Sequence, residues 1–198
     1  MSKKPLLLFA HKGEAQAFFS HCKHHPMALE SLPAYENDSY FLLITKEGLQ
    51  ETTKNLTWFL ASYADVISKI INLGIAGALS AELKLADIYS IRTIYGEEQF
   101  NNFKTADLKS VIDIISAKNR ITNIEDAQRL FVTAPLVDRE AWAIGSVANK
   151  FNKELYCYKL VSDFADGKDT FKQIKEKAAD YSERLYQYYQ KITSDLPQ

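Results

Sequence analysis

Leu155-Tyr156-Cys157-Tyr158-Lys159-Leu160-Val161 runs into Ser162-Asp163-Phe164-Ala165-Asp166-Gly167, and this junction decides how the chain is read. The first seven residues, rich in apolar and aromatic side chains, predict a buried strand. It stops at Ser162-Asp163, and a turn leads into a long helix from about Lys168. In open α/β sheets, ligands collect beyond the carboxyl ends of the strands. An acid at such an end is half sheltered, so its pKa can rise far enough to hold a proton near neutrality. Asp163 is therefore either a cap for the following helix, a common task for Asp, or the acid of a site.

Outward from this junction, the same alternation of strand and helix recurs. Leu6 to Ala10 is a continuous apolar run, as expected of a strand covered on both faces. Gly13 turns the chain and Glu14 opens a short helix with Ala15, Ala17, Phe18 and Phe19. Tyr40 to Thr45 predicts a strand, and Leu49, Thr53, Leu56, Leu60 and Tyr63 stripe a helix running to about Ala64. Ile67 to Leu73 is the next strand. It ends in Gly74-Ile75-Ala76-Gly77-Ala78-Leu79, read as a turn whose small residues admit a ligand close to the backbone. Ile88 to Ile94 is a strand, Glu97 to Thr105 a loop, Asp107 to Ala117 an amphipathic helix and Leu130 to Thr133 a brief strand closed by Pro135. Asp138 can cap a helix on which Glu140, Ile144, Val147 and Ala148 share a face. Phe171, Ile174, Ala178, Tyr181, Leu185, Tyr188 and Ile192 form a coiled-coil-like seam, suited to a helix lying along a sheet. The pattern predicts an α/β fold, largely parallel and layered.

The 198 residues suit a single domain, 1–198, and are ample for a core. A net charge of −1 and the lack of a basic run argue against nucleic-acid binding. No segment is long and apolar enough to span a membrane, and the start is too short in apolar core for a signal peptide. The two cysteines, Cys22 and Cys157, fit free thiols in a reducing, cytoplasmic setting. His21 and His25 have i, i+4 spacing, which would put both on one face of a helix. With no acid close by and Pro26 following, a solvated helix end is expected rather than a metal site.

Glu14 and Asp163 lie just past strand ends, and Glu140 lies early in a helix. Such places can converge on one edge of an α/β sheet. Three carboxylates without a metal suggest acid/base work on a neutral, hydroxyl-rich ligand: one donates a proton, one activates water, one accepts bonds from hydroxyls. Glycosidic cleavage through an oxocarbenium-like state needs little more, with the carboxylates also steadying the positive charge.

Ile70 to Leu79 with Leu83-Lys84-Leu85-Ala86-Asp87-Ile88, then Val137-Asp138-Arg139-Glu140-Ala141-Trp142-Ala143-Ile144, then Val161 to Asp166 resemble, in that order, the purine nucleoside phosphorylase and nucleosidase superfamily. The closest likeness is to the methylthioadenosine/S-adenosylhomocysteine nucleosidases. The resemblance implies a three-layer α/β/α sandwich around a twisted mixed sheet, and a homodimer with no metal and no cofactor. It implies hydrolysis of a purine nucleoside such as methylthioadenosine or S-adenosylhomocysteine, with Asp163 protonating N7 of the base and Glu14 activating water. Glu140 would hold the ribose hydroxyls and Phe164 would lie near the base. Gly74, Ile75, Ala76 and Gly77 would line the sugar or water pocket, beside Ser162 and Arg139. The alternatives are a phosphorolytic enzyme and a diverged, inactive member that binds a nucleoside-like metabolite. Three positions depart from the family pattern. Arg139 stands where Met is usual, Ile75 stands where Ser is usual, and Glu47-Gly48-Leu49-Gln50 keeps one glycine of a richer loop. A loop and helix of the base pocket are expected to be missing between Thr133 and Asp138. Glu14 as a base, and Glu47 beside the site, favour water over phosphate as nucleophile.

Overall fold

The computed structural model describes residues 3–29, 31–165 and 171–193, apart from the side chain of Phe171. The predicted turn at Asp166-Gly167, the helix start at Lys168 and the seam position of Phe171 lie outside the described residues. In chain order the elements are β1 (Lys4–Phe9), α1 (Gln16–His21), β2 (His25–Pro26), β3 (Ala34–Glu36), β4 (Phe41–Ile44) and α2 (Leu49–Tyr63). A single 3₁₀ turn, Ala64–Val66, leads to β5 (Ile67–Ala78). Then come β6 (Ile88–Gly96), β7 (Phe103–Lys104), β8 (Ile112–Ser116), α3 (Ile124–Phe131), β9 (Leu136–Asp138), α4 (Ala141–Lys150), β10 (Leu155–Phe164) and α5 (Phe171–Thr193).

The strands make one mixed sheet in the order β10-β6-β8-β9-β5-β1-β4-β3-β2, with β7 beside β6. β10 also pairs with β5, so β5, β10, β6, β8 and β9 close into a ring. β1 lies parallel between β4 and β5, and β10 runs parallel to β5. β10 meets β6, and β9 meets β5, antiparallel.

Successive strand residues point to opposite faces, and each face buries its own helices. Leu6 and Leu8 of β1, with Phe41 and Leu43 of β4, join Leu56, Phe59 and Leu60 of α2 and Ile144, Val147 and Ala148 of α4. Leu7 and Phe9, with Leu42 and Ile44, join Phe18 of α1 and Tyr181, Leu185 and Tyr189 of α5. The result is the expected three-layer α/β/α sandwich around a twisted mixed sheet. α5 lies along the sheet, as its apolar seam predicted. The stripe of α2 is rotated from the expected one: Thr52, Asn55, Leu56, Phe59 and Leu60 are buried while Thr53 is exposed.

Between Asp107 and Thr133, two elements differ in kind from the sequence reading. The helix expected over Asp107 to Ala117 is a strand, β8. Its β-branched Ile112, Ile114 and Ile115 fit a pleated surface, with Ile114 and Ile115 facing different core clusters. Leu130 to Thr133, expected as a strand, is the end of α3 and the turn after it. Asn123 caps that helix by accepting the Asp126 N–H at 2.8 Å, and Arg129 near its end meets Asp126 at 3.0 Å. Among the described residues no helix is long and apolar enough to cross a membrane.

Candidate active site

Glu14 sits in the turn between β1 and α1. Its Oε2 accepts the N–H groups of Ala10 and His11, each at 3.0 Å, and its Oε1 accepts the Ile75 N–H at 3.1 Å. Ser182 of α5 fastens the turn from outside: its hydroxyl donates to the Glu14 carbonyl at 2.8 Å and accepts the Ala17 N–H at 2.8 Å. The Gly74 to Gly77 stretch is not a turn. It continues β5, paired with β10 and, at Gly77, with β9, so its N–H groups serve neighbours rather than open space. Gly74 lies under the Glu14 carboxylate and is not among the residues that line the cavity Glu14 borders. A Cβ there would come within 3.1 Å of Oε1, so the carboxylate would have to shift by a few tenths of an ångström, and within 3.5 Å of Lys159 Nζ, an ordinary contact. Burial pushes the Glu14 carboxyl above its usual pKa, against the opposing pull of Lys159 and three backbone N–H groups.

The junction of β9 and α4 carries three charged residues in succession. Glu140, not the expected Asp138, holds the N-cap position of α4; Asp138, two residues earlier, accepts the Ala141 N–H at 3.0 Å and the Ser116 hydroxyl at 2.5 Å. The Lys159 ammonium lies 2.8 Å from its other side, with side-chain exposures of 3% and 1% for the pair. Lys159 occupies the one charged position inside the apolar part of β10. Burial works against its charge, but Asp138, with Cys157 and Glu140, holds its pKa above the usual lysine range. Glu140 accepts the Gly48 N–H at 2.7 Å from the loop before α2, where Gly48 has a φ of +87° that favours glycine. Burial first, then the Asp138 charge, pushes the Glu140 carboxyl up to about 7. Arg139 stands between the two. Its Nη1 makes a 3.4 Å contact with half-exposed Glu47, and its buried Nε has no hydrogen-bond partner.

β10 is longer than expected and contains a bulge. Val161 pairs with Ala76 and Asp163 with Gly77, which leaves Ser162 as the extra residue. A bulge re-aims the side chains that follow it. Tyr181 of α5 donates to the Ser162 carbonyl at 3.0 Å, and the Ser162 hydroxyl donates to Asp163 Oδ1 at 2.6 Å. Asp163 thus belongs to a strand end and does not begin a helix among the described residues.

Glu14, Glu140 and Asp163 line one cavity of about 570 Å³, with Ile75, Ala76, Gly77, Arg139 and Ser162 in its wall. Phe164 is elsewhere: it packs on the core shared with α2 and α4 and lines a separate depression with Phe131 and Ile124. Strand alternation puts Phe164 on the face opposite Asp163, and the bulge decides which of the two faces the cavity. Between Thr133 and Asp138 there is little besides β9. The wall there comes instead from Asn119, Arg120 and Ile121, in the loop ahead of α3. These residues, and Lys159, were not singled out from sequence. Lys159 carried a usable signal, because a charge inside an apolar strand needs a partner. His21 and His25 do not share a helix: His21 ends α1, where it meets Glu183 at 2.8 Å, and His25 lies in β2. Among the described residues, no group of three or more His, Cys, Asp and Glu side chains could hold a metal.

Such a site sets an elevated carboxyl beside a fixed array of acceptors, which suits proton transfer and the holding of hydroxyl groups. No protein-family model matches the chain, and no curated protein matches it. Solved structures do. The 5′-methylthioadenosine/S-adenosyl homocysteine nucleosidase of Helicobacter pylori superimposes with a TM-score of 0.85 at 16% identity, over 98% of this chain and 99% of that one. The futalosine hydrolase of Helicobacter pylori strain 26695 gives 0.86 at 16% identity, over 99% of each chain. The nucleosidase of Neisseria meningitidis, in complex with methylthio-immucillin-A, gives 0.80 at 17% identity, over 93% and 96%. Over essentially its whole length, the chain has the fold of these nucleosidases.

Proposed function

We propose that the chain is an N-ribosyl hydrolase that releases the base from a purine nucleoside such as methylthioadenosine or S-adenosylhomocysteine. The observation that carries this reading is the meeting of Glu14, Glu140 and Asp163, from three separate elements, in one cavity. Asp163, at the end of β10, protonates N7 of the base and so lets the glycosidic bond break. Glu14 takes a proton from the attacking water, a task helped by burial, which makes its carboxylate more basic. Glu140 holds the 2′- and 3′-hydroxyls, and the remaining carboxylate charge steadies the oxocarbenium-like sugar.

Water is favoured over phosphate for a local reason. The N–H groups of Ala10, His11, Ile75 and Gly48 are taken by Glu14 and Glu140 and are not free to cradle a dianion. Glu47 adds a further negative charge at the wall. The reading includes a homodimer acting in the cytoplasm, as the family resemblance implies, and both cysteines are free thiols. The test is incubation of the purified chain with a panel of nucleosides, with and without phosphate, following free base. Release that does not depend on phosphate is expected. No release from any nucleoside would sink the hydrolase reading, and release only with phosphate would make the chain a phosphorylase.

A further inference from the structure

Arg139 has no part in the chemistry just described, yet its guanidinium borders the same cavity. Its buried Nε–H has no acceptor, and a buried donor without a partner is costly unless something else supplies one. Its other contact is weak, a single 3.4 Å approach to Glu47, whose side chain is 57% exposed and free to swing into solvent. The guanidinium lies beside Gly48, where a Cβ would be in ordinary contact with Nη2 at 3.5 Å. Two more cations line the cavity. Arg120 stands on the loop after β8, next to the β9 end that leads to Arg139, and Lys175 is an exposed residue of α5.

The geometry points to an anion subsite at Arg139, so that the ligand is a nucleoside bearing a carboxylate or phosphate. This rests on the nucleosidase reading, which also says where the anion sits. The base occupies C1′ and faces Asp163, while the 2′- and 3′-hydroxyls face Glu140. The 5′ position is the one left on the ribose for a charged substituent. The guanidinium fork suits such an oxyanion, because Nε and an Nη can donate to its two oxygens together. Glu47 holds Arg139 until the ligand displaces it.

The experiment compares adenosine-5′-carboxylic acid and adenosine 5′-monophosphate with neutral 5′-methylthioadenosine, using the full chain and its R139M variant. Base release and ligand-induced thermal shift are both read. For the unmodified chain, one acidic nucleoside should exceed the neutral one in kcat/KM by about tenfold or more, and which one does so separates carboxylate from phosphate. That ratio should fall by about tenfold in R139M, and added salt should erode it in the unmodified chain. An unchanged ratio in R139M, or a neutral preference in the unmodified chain, overturns the subsite. If no nucleoside is cleaved, the hydrolase reading fails on its own and the thermal shifts decide. Stabilisation by an acidic nucleoside that vanishes in R139M upholds the subsite; equal shifts, or none, overturn it. E47Q gives an independent reading at an exposed position: it should lower KM for the preferred acidic nucleoside several-fold, and an unchanged or raised KM overturns the role given to Arg139.

Discussion

Asp138 and Arg139 are neighbours in sequence, each makes an ion pair, and the two pairs could hardly be less alike. Asp138–Lys159 is 2.8 Å long, nearly sealed from solvent and bolstered by Ser116 and the Ala141 N–H. Arg139–Glu47 is a 3.4 Å contact with side chains 37% and 57% exposed. The first is a foundation. Its ammonium offsets part of the negative charge that Glu14, Asp138 and Glu140 bring to one place. The second is a loose latch that a ligand can open. One residue step along a strand end separates a charge that must stay paired from one whose partner can change.

That contrast can be broken at several points. Lys159→Met should cost about 3–5 kcal/mol, because it leaves Asp138 buried and uncompensated; a urea melt that moves less would show the pair to be dispensable. Asp163→Asn removes the proton donor without disturbing either pair. It should cut base release by about 10²–10⁴-fold while the melting temperature holds, and undiminished activity would remove Asp163 from the mechanism.

Glu140 reads the field of the inner pair. Its pKa rises on folding from the usual 4.5 to about 7, so the folded state binds the extra proton. The stability this confers is full below pH 4.5 and is lost as pH climbs through about 7. Glu140→Gln cannot titrate. Relative to the unmodified chain it should therefore gain on the order of 1–3 kcal/mol between pH 4.5 and pH 8. Parallel urea melts at the two ends of that range would show no such divergence if Glu140 stayed ionised throughout. Smallest of all, Arg139→Met should shift stability by no more than about 1 kcal/mol, as expected of an exposed pair. A larger loss would mean that the latch is structural after all.

Much of this was legible in the residues. β1, β5 and β10 announce themselves as apolar runs, and the acids just past them stand out because strand ends of α/β sheets are where ligands gather. Local pattern failed where pairing decides the outcome. Leu108, Val111, Ile112 and Ile115 are spaced as one face of a helix, but Ile112 to Ser116 becomes a strand because β6 and β9 are both there to pair with it. Gly74 to Gly77 reads as a turn by composition, yet it is drawn out straight by partners from the far end of the chain. The bulge at Ser162 has no local signature, and it decides that Asp163 rather than Phe164 faces the cavity.

The strand ring described above also constrains how the molecule is made. β5 and β10 are joined along almost their whole lengths, although paired residues such as Leu155 and Ile70 are 85 positions apart. Contacts of such separation must overcome a large loop entropy before they repay it, and they slow folding. On the ribosome β5 emerges long before β10 and waits with one side open. Asp163 and Lys159 arrive on that closing strand, so the candidate site comes into being only as the last strand seals the ring.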